Sequence, residues 1–201
     1  MANLRVGPRE IRISPRINFD GPTPPFKPQE DDNWCWAACV EMVLNHPSFF
    51  DEEVLSNHRN LLEDTQCKIA KKGVKILTGQ NLNCCASPPA CSKLLDDGSI
   101  TRLWREYNNV VSVDDPEENI GTDRLKQALE DGHLVEIGYH QNGDGHVVLV
   151  YGSTILSGNE RFFFVHDPNG QGRRGGEPIR DSFIDQSGLG TWDRTWVIKK
   201  V

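Results

Sequence analysis

Four residues of this chain have side chains whose types and order suit acyl transfer to a thiol: Gln29, Cys35, His146 and Asp167. Cys35 stands at the start of a predicted helix, where unpaired backbone N–H groups and the positive end of the dipole favour an anion, and therefore a thiolate. A thiol nucleophile also needs an imidazole to exchange its proton with, a group that orients the imidazole, and donors for the oxyanion formed when a carbonyl is attacked. His146 follows the NGDG loop and opens a strand, which leaves its ring at a rim rather than in the core. Asp167 ends the next strand, and in an antiparallel pair the start of one strand and the end of the next share an edge. Gln29, six residues ahead of Cys35, is close enough for its side-chain amide to share an oxyanion hole with the Cys35 N–H. If the two strands were joined by a tight turn at Gly158-Asn159, strict pairing would set Asp167 opposite Val150. Contact with His146 therefore requires a longer loop or a bulge.

The elements that must position these residues fall into two halves. From Asn33 to His46 the apolar Trp36, Val40, Val43 and Leu44 recur at helical spacing, with Asp32 or Asn33 as cap and Pro47 as stop. Further helices are expected from Asp51 to about Glu63, near Thr65 to Lys72, around Cys91 to Leu95 and from Ser99 to Tyr107, with a loop from Gly79 to Pro89. After a helix from Thr122 to Asp131, closed by Gly132, the period changes. HLVEIGYH (133–140), HVVLVYGSTI (146–155) and RFFFVHDP (161–168) are rich in β-branched and aromatic residues and read as strands, and WVIKKV adds a candidate at the end. Helices first and antiparallel strands later predict an α+β domain with its site where the halves meet. Residues 1 to 28 are rich in proline and read as an extended arm: a leader, a removable pro-segment that fills the cleft, or a strap.

Together, Gln29 with five intervening residues before Cys35-Trp36-Ala37, then Gly145-His146-Val147-Val148 and His166-Asp167-Pro168, resemble papain-like cysteine peptidases. The likeness is to the compact bacterial branch, which includes leader-processing peptidases of bacteriocin exporters and papain-type effector proteases of plant pathogens. It spans roughly residues 29 to 170. The resemblance implies a papain-like fold over residues 29–201, with the nucleophile helix packed on a C-terminal antiparallel sheet. It implies Cys35 as nucleophile, His146 as acid and base, Asp167 as orienter and Gln29 as oxyanion donor, with Trp34, Trp36 and Gly145 as substrate-binding candidates. Papain itself has an asparagine as orienter; aspartate is usual in the bacterial branch, and Asn169 is the alternative here. The activity implied is hydrolysis of a protein or peptide substrate through a thioester, with no metal and no redox cofactor. A glutamine deamidase or a transglutaminase-like acyltransferase shares the same acyl-enzyme step.

Composition narrows the partners. Twenty-two Lys and Arg against 29 Asp and Glu give a formal charge of −7, which disfavours a sequence-independent grip on nucleic acid. No apolar run approaches the length needed to span a bilayer, and the N-terminus lacks the apolar core of a secretory signal peptide. The chain is expected to be cytoplasmic or exported by a non-classical route, as a bacterial effector or toxin would be.

Plainer roles compete for the other residues. Cys39 reads as core packing or half of a structural disulfide, and Trp34 and Trp36 as core anchors as readily as groove walls. Cys67, Cys84, Cys85 and Cys91, with His58, have enough sulfur for zinc but lack paired C-x-x-C knuckles, which favours disulfides or free thiols. A cysteine-rich binding module with an inert Cys35 is the non-enzymatic alternative. His46, His58, His133 and His140 sit in no motif, and strand alternation sends His166 to the face opposite Asp167. GQGRRG (170–175) matches a dinucleotide-binding pattern but is followed by Pro178 where a helix should begin, so it reads as a glycine-rich loop. DDPEEN (114–119) reads as a solvated acidic loop.

Overall fold

A computed structural model of the chain describes residues 23–46, 48–141, 144–156, 160–170, 176–185 and 189–201. Most of the proline-rich arm, the helix stop at Pro47, the tip of the NGDG loop, the Gly158-Asn159 turn and residues 171–175 of the glycine-rich loop lie outside the described residues.

The chain is α+β. In order, it forms α1 (Cys35–Leu44), α2 (Glu52–Asn57), α3 (Arg59–Leu62), α4 (Gln66–Thr78), a 3₁₀ turn (Pro88–Cys91), α5 (Asp97–Arg105), β1 (Val111–Val113) and α6 (Gly121–Glu130). There follow β2 (Leu134–Gln141), β3 (Asp144–Leu156), β4 (Glu160–His166), β5 (Glu177–Arg180), α7 (Asp181–Ile184) and β6 (Thr191–Lys200). The six strands make one antiparallel sheet in the order β1-β6-β2-β3-β4-β5.

All ten residues of α1 are buried, as an apolar helix must be when other elements pack around it. It lies against α4 and β3, and one core cluster joins Trp36, Cys39 and Val43 of α1 to Ile69 and Val74 of α4 and to Val147 and Leu149 of β3. A second cluster on the opposite sheet face joins Val135, Ile137, Val148 and Val150 to Leu125 of α6 and Ile184 of α7. Burial on both faces explains why HVVLV reads as a continuous apolar run rather than an alternation.

Several element boundaries differ from the sequence reading, each for a local reason. The helix expected over 51–63 breaks at His58 into α2, capped where Asp51 accepts the Val54 N–H at 2.9 Å, and α3. α4 continues to Thr78 and stops at Gly79, whose φ of 75° is the left-handed conformation of a helix end. No helix forms over 91–95. The indole N–H groups of Trp34 and Trp36 draw on the Cys91 and Lys93 carbonyls at 3.0 and 3.1 Å, and a Cys84–Cys91 disulfide fixes the start of the segment. β1 and β5 are additional edge strands, and Pro178 is tolerated in β5 because it lies at the sheet edge. No helix among the described residues is long and apolar enough to cross a membrane.

The register of β3 and β4 matters most for the site. Pairing runs from Leu156↔Glu160 to Gly152↔Phe164, then slips past Tyr151 so that Val150 faces Val165 and Leu149 faces His166. Compared with a two-residue connection, the three residues 157–159 shift the partner of Asp167 by one position and the slip at Tyr151 shifts it by another. Continued, the register sets Asp167 opposite Val148 rather than Val150, two residues from His146. Both devices that the contact required are present.

Candidate active site

Cys35 is the first residue of α1, nearly fully buried, and the helix has no acidic residue in its first turn. Of the acids that precede it, Asp31 accepts from the Asn33 N–H at 3.2 Å and from the Ser92 hydroxyl, while Asp32 takes part through its backbone carbonyl, which accepts from Gln29 Nε2 at 2.7 Å. As the first residue of α1, Cys35 sits among the helix's unpaired backbone N–H groups.

His146 Nε2 lies 2.7 Å from Asp167 Oδ1, and the ring also hydrogen-bonds Cys35. With Nε2 taken by the carboxylate, Nδ1 is the nitrogen left for the thiol. Burial works to lower the His146 pKa, but the hydrogen bonds to Asp167 and Cys35 and the charges of both outweigh it and hold the imidazole up at about 9. The ring is therefore an imidazolium at neutral pH, hydrogen-bonded to the sulfur. Asn169, the alternative orienter, gives its backbone N–H to Asp167 Oδ1 at 3.0 Å and so helps hold the carboxylate.

Gln29 donates its backbone N–H to the Pro168 carbonyl at 2.9 Å, which ties the approach to α1 to the residue after Asp167. One Nε2 hydrogen goes to Asp32 and the second remains for another acceptor. Its Oε1 is buried without a hydrogen-bond partner.

A cleft of about 230 Å³ opens beside the thiol, lined by Trp36, Leu95, Ile100, Gly145 and Trp196 together with the acids Asp96 and Asp97. Cys35 and His146 both border it. Of the three substrate-binding candidates, Trp36 and Gly145 line this cleft. Trp34 is fully buried and instead anchors the 91–95 segment through Cys91. The described part of the arm, residues 23–28, is a strap outside the cleft. Pro24 O accepts from His166 Nε2 at 2.8 Å, Phe26 packs near the His166 ring, and Lys27 pairs with Glu41 at 3.2 Å. His166 thus faces the strap while its neighbour Asp167 faces His146, and burial lowers its pKa.

The remaining cysteines have structural positions. Cys67 is bonded to Cys85 and Cys84 to Cys91, and no group of three or more potential metal ligands occurs among the described residues. Cys39 is a free, fully buried thiol, its Sγ 3.8 Å from the Val147 carbonyl. Burial first, then Glu136, Cys35 and Asp167, push its pKa well up, so it stays a neutral core residue.

Three contributors went unread in the sequence. Glu136 is fully buried and accepts from the Trp104 indole at 2.6 Å. Desolvation raises its pKa to about 8 against the opposing effect of that bond. Its signal is an acid in the middle of LVEIGY, a place that reads equally as the solvent face of a strand. His140, paired with Asp193 at 2.7 Å, forms part of the cleft wall. Gln66, buried on the first turn of α4, has no sequence signature at all. The chain matches no protein-family profile and no curated protein.

Proposed function

We propose that the protein is a papain-like cysteine peptidase in which Cys35, His146 and Asp167 act as a triad. The observation that carries this reading is the His146 ring, hydrogen-bonded to Asp167 at 2.7 Å and to Cys35, on the border of a cleft where the thiol opens a buried helix.

In this reading the Cys35 thiolate attacks a peptide carbonyl carbon, and the negative charge moves to the carbonyl oxygen. The Cys35 N–H and the remaining Gln29 Nε2 hydrogen stabilise that oxyanion. The His146 imidazolium gives its proton to the leaving amine as the C–N bond breaks, which leaves a thioester on Cys35. Neutral His146 then takes a proton from water, the resulting hydroxide attacks the thioester, and the acid departs as the thiolate and imidazolium re-form. Asp167 keeps the ring oriented and stabilises its charged form throughout. A buried thiol beside a cleft of mixed apolar and acidic lining suits a peptide substrate, since the chain of −7 offers little to a polyanion.

A peptide library incubated with the wild-type chain and with Cys35→Ala tests this directly. Cleavage by the first and none by the second, with both folded, is the expected result. Equal cleavage by both, or release of ammonia from glutamine with no new peptide ends, overturns the peptidase reading.

A further inference from the structure

The side-chain amide of Gln66 makes three hydrogen bonds, one through its oxygen and one through each N–H, and two of its partners flank Gln29. Its Oε1 accepts the Glu30 N–H at 2.8 Å, and its Nε2 donates to the Pro28 carbonyl at 2.8 Å and to Glu41 Oε2 at 3.0 Å. The orientation of the amide is unambiguous. Exchanging O and N would set an oxygen against a carbonyl and a carboxylate, and an N–H against an N–H. Gln66 is almost wholly excluded from solvent, so these bonds compete with little water.

One side chain thus does for residues 28–30 what a neighbouring strand would do, holding the C=O before Gln29 and the N–H after it. From the other side, the Gln29 N–H is bonded to Pro168, next to Asp167. The third bond runs to Glu41, two turns along the helix that Cys35 begins, and Glu41 also holds Lys27 of the strap. The backbone of Gln29 is therefore referenced at once to the nucleophile helix, to α4 and to the strand end that bears Asp167.

We infer that Gln66 is a positioning residue for the oxyanion hole, acting through Gln29; this rests on the peptidase reading proposed above. Preorganised donors stabilise a transition state because they need no reorganisation as charge develops, and errors of a fraction of an ångström are costly. Gln66 touches neither the nucleophile nor the cleft. Its effect should appear only in steps that place negative charge on a substrate oxygen.

Gln66→Met keeps the volume and removes all three bonds. The expected result is a fall in peptide kcat of about 10- to 100-fold, short of the roughly 10²- to 10³-fold for outright loss of an oxyanion donor, with KM nearly unchanged. A peptide aldehyde, which adds to Cys35 and leaves its oxygen in the hole, should bind more weakly by the same factor. Alkylation of Cys35 by iodoacetamide forms no oxyanion and should proceed at the wild-type rate. In a Gln29→Ala background, Gln66→Met should have no further effect on kcat.

Parallel losses in alkylation and turnover would show a general structural role and overturn the inference, as would additive effects of the two substitutions or an unchanged kcat. Gln66→Glu is the second variant, should the methionine chain fold poorly. It retains an acceptor for Glu30 but loses the donors to Pro28 and Glu41, and it should show the same split between turnover and alkylation. A wild-type chain that cleaves no peptide refutes the peptidase reading together with this one. Cleavage by wild type with an unaffected Gln66→Met refutes this one alone.

Discussion

Gly73 of α4 makes room for the indole of Trp36 of α1: a Cβ built on it would stand 2.7 Å from two carbons of the indole and 3.0 Å from Leu95 Cδ1. The glycine costs roughly 1 kcal/mol in helix propensity relative to alanine, and the close approach of the cleft-lining tryptophan accounts for it. Trp36 is itself held by its bond to Lys93 O. Gly73→Ala should therefore destabilise the chain by about 1–2 kcal/mol despite the better helix former, in line with overpacked cores. It should also raise KM by displacing the cleft wall. Urea melts alongside peptide kinetics measure both, and a more stable variant with wild-type KM would contradict the account.

On the proposed peptidase mechanism, the upper limb of the pH profile belongs to His146. Its imidazolium must supply a proton to the leaving amine, so kcat/KM should fall as pH rises past about 9. Asp167→Asn keeps an oxygen for Nε2 but removes the charge, so the limb should move to lower pH while part of the activity remains. Asp167→Ala should lose the orientation as well and fall further, by about 10² or more. An alkaline limb that stays at 9 in Asp167→Asn would exclude the carboxylate as its cause.

Glu136 makes stability depend on pH in a direction unusual for a carboxyl group. Its pKa is about 8 in the fold and near 4.5 in the unfolded chain. The folded state therefore holds a proton that the unfolded state has released between those values. This contribution is fully present below pH 4.5 and is lost as pH rises through 8, a change on the order of a few kcal/mol. His146, raised from 6.5 to about 9, acts with the same sign in the window between those values. Glu136→Gln, which keeps an acceptor for Trp104, should flatten the 4.5–8 part of a stability-against-pH curve and leave the higher part in place.

Reductant should act on this protein in two opposite ways. The Cys84–Cys91 disulfide holds the segment that Trp34 and Trp36 bind and that continues into the cleft wall at Leu95. Closing so short a loop contributes about 2–3 kcal/mol by chain entropy. Mild thiol should keep Cys35 active. Enough reductant to open the disulfides should then lower turnover while Cys35 remains fully alkylatable. Cys84→Ser with Cys91→Ser should reproduce the loss without reductant, and a double variant of wild-type rate would remove the disulfide from the argument.

What the sequence disclosed follows from how local each signal is. The start of α1, the breaks at Pro and Gly, and the β-branched runs of β2 to β4 depend on near neighbours, and the helix and strands lie close to where those signals put them. Trp36, by contrast, could be assigned to wall or core only once Lys93 and Gly73 were seen beside it. Gln66 and Glu136 act through partners 25 to 38 residues away along the chain, at Glu41, Pro28 and Trp104, and no window of sequence contains both ends of those bonds. The pairing among the four cysteines for which disulfides were expected was equally hidden, because the partners of Cys67 and Cys84 are chosen by the path of the chain from α4 to α5.

The slip at Tyr151 adds a residue to β3 without moving the partners on either side of it. Taking Tyr151 out would leave Gly152 opposite Phe164, Val150 opposite Val165 and Leu149 opposite His166 in an unbroken ladder. What would go is the phenol ring, whose centroid lies 4.4 Å from that of His166 and 6.0 Å from that of Phe164. The extra residue thus serves as padding for the strap, filling the space beside the imidazole that Pro24 and Phe26 cover.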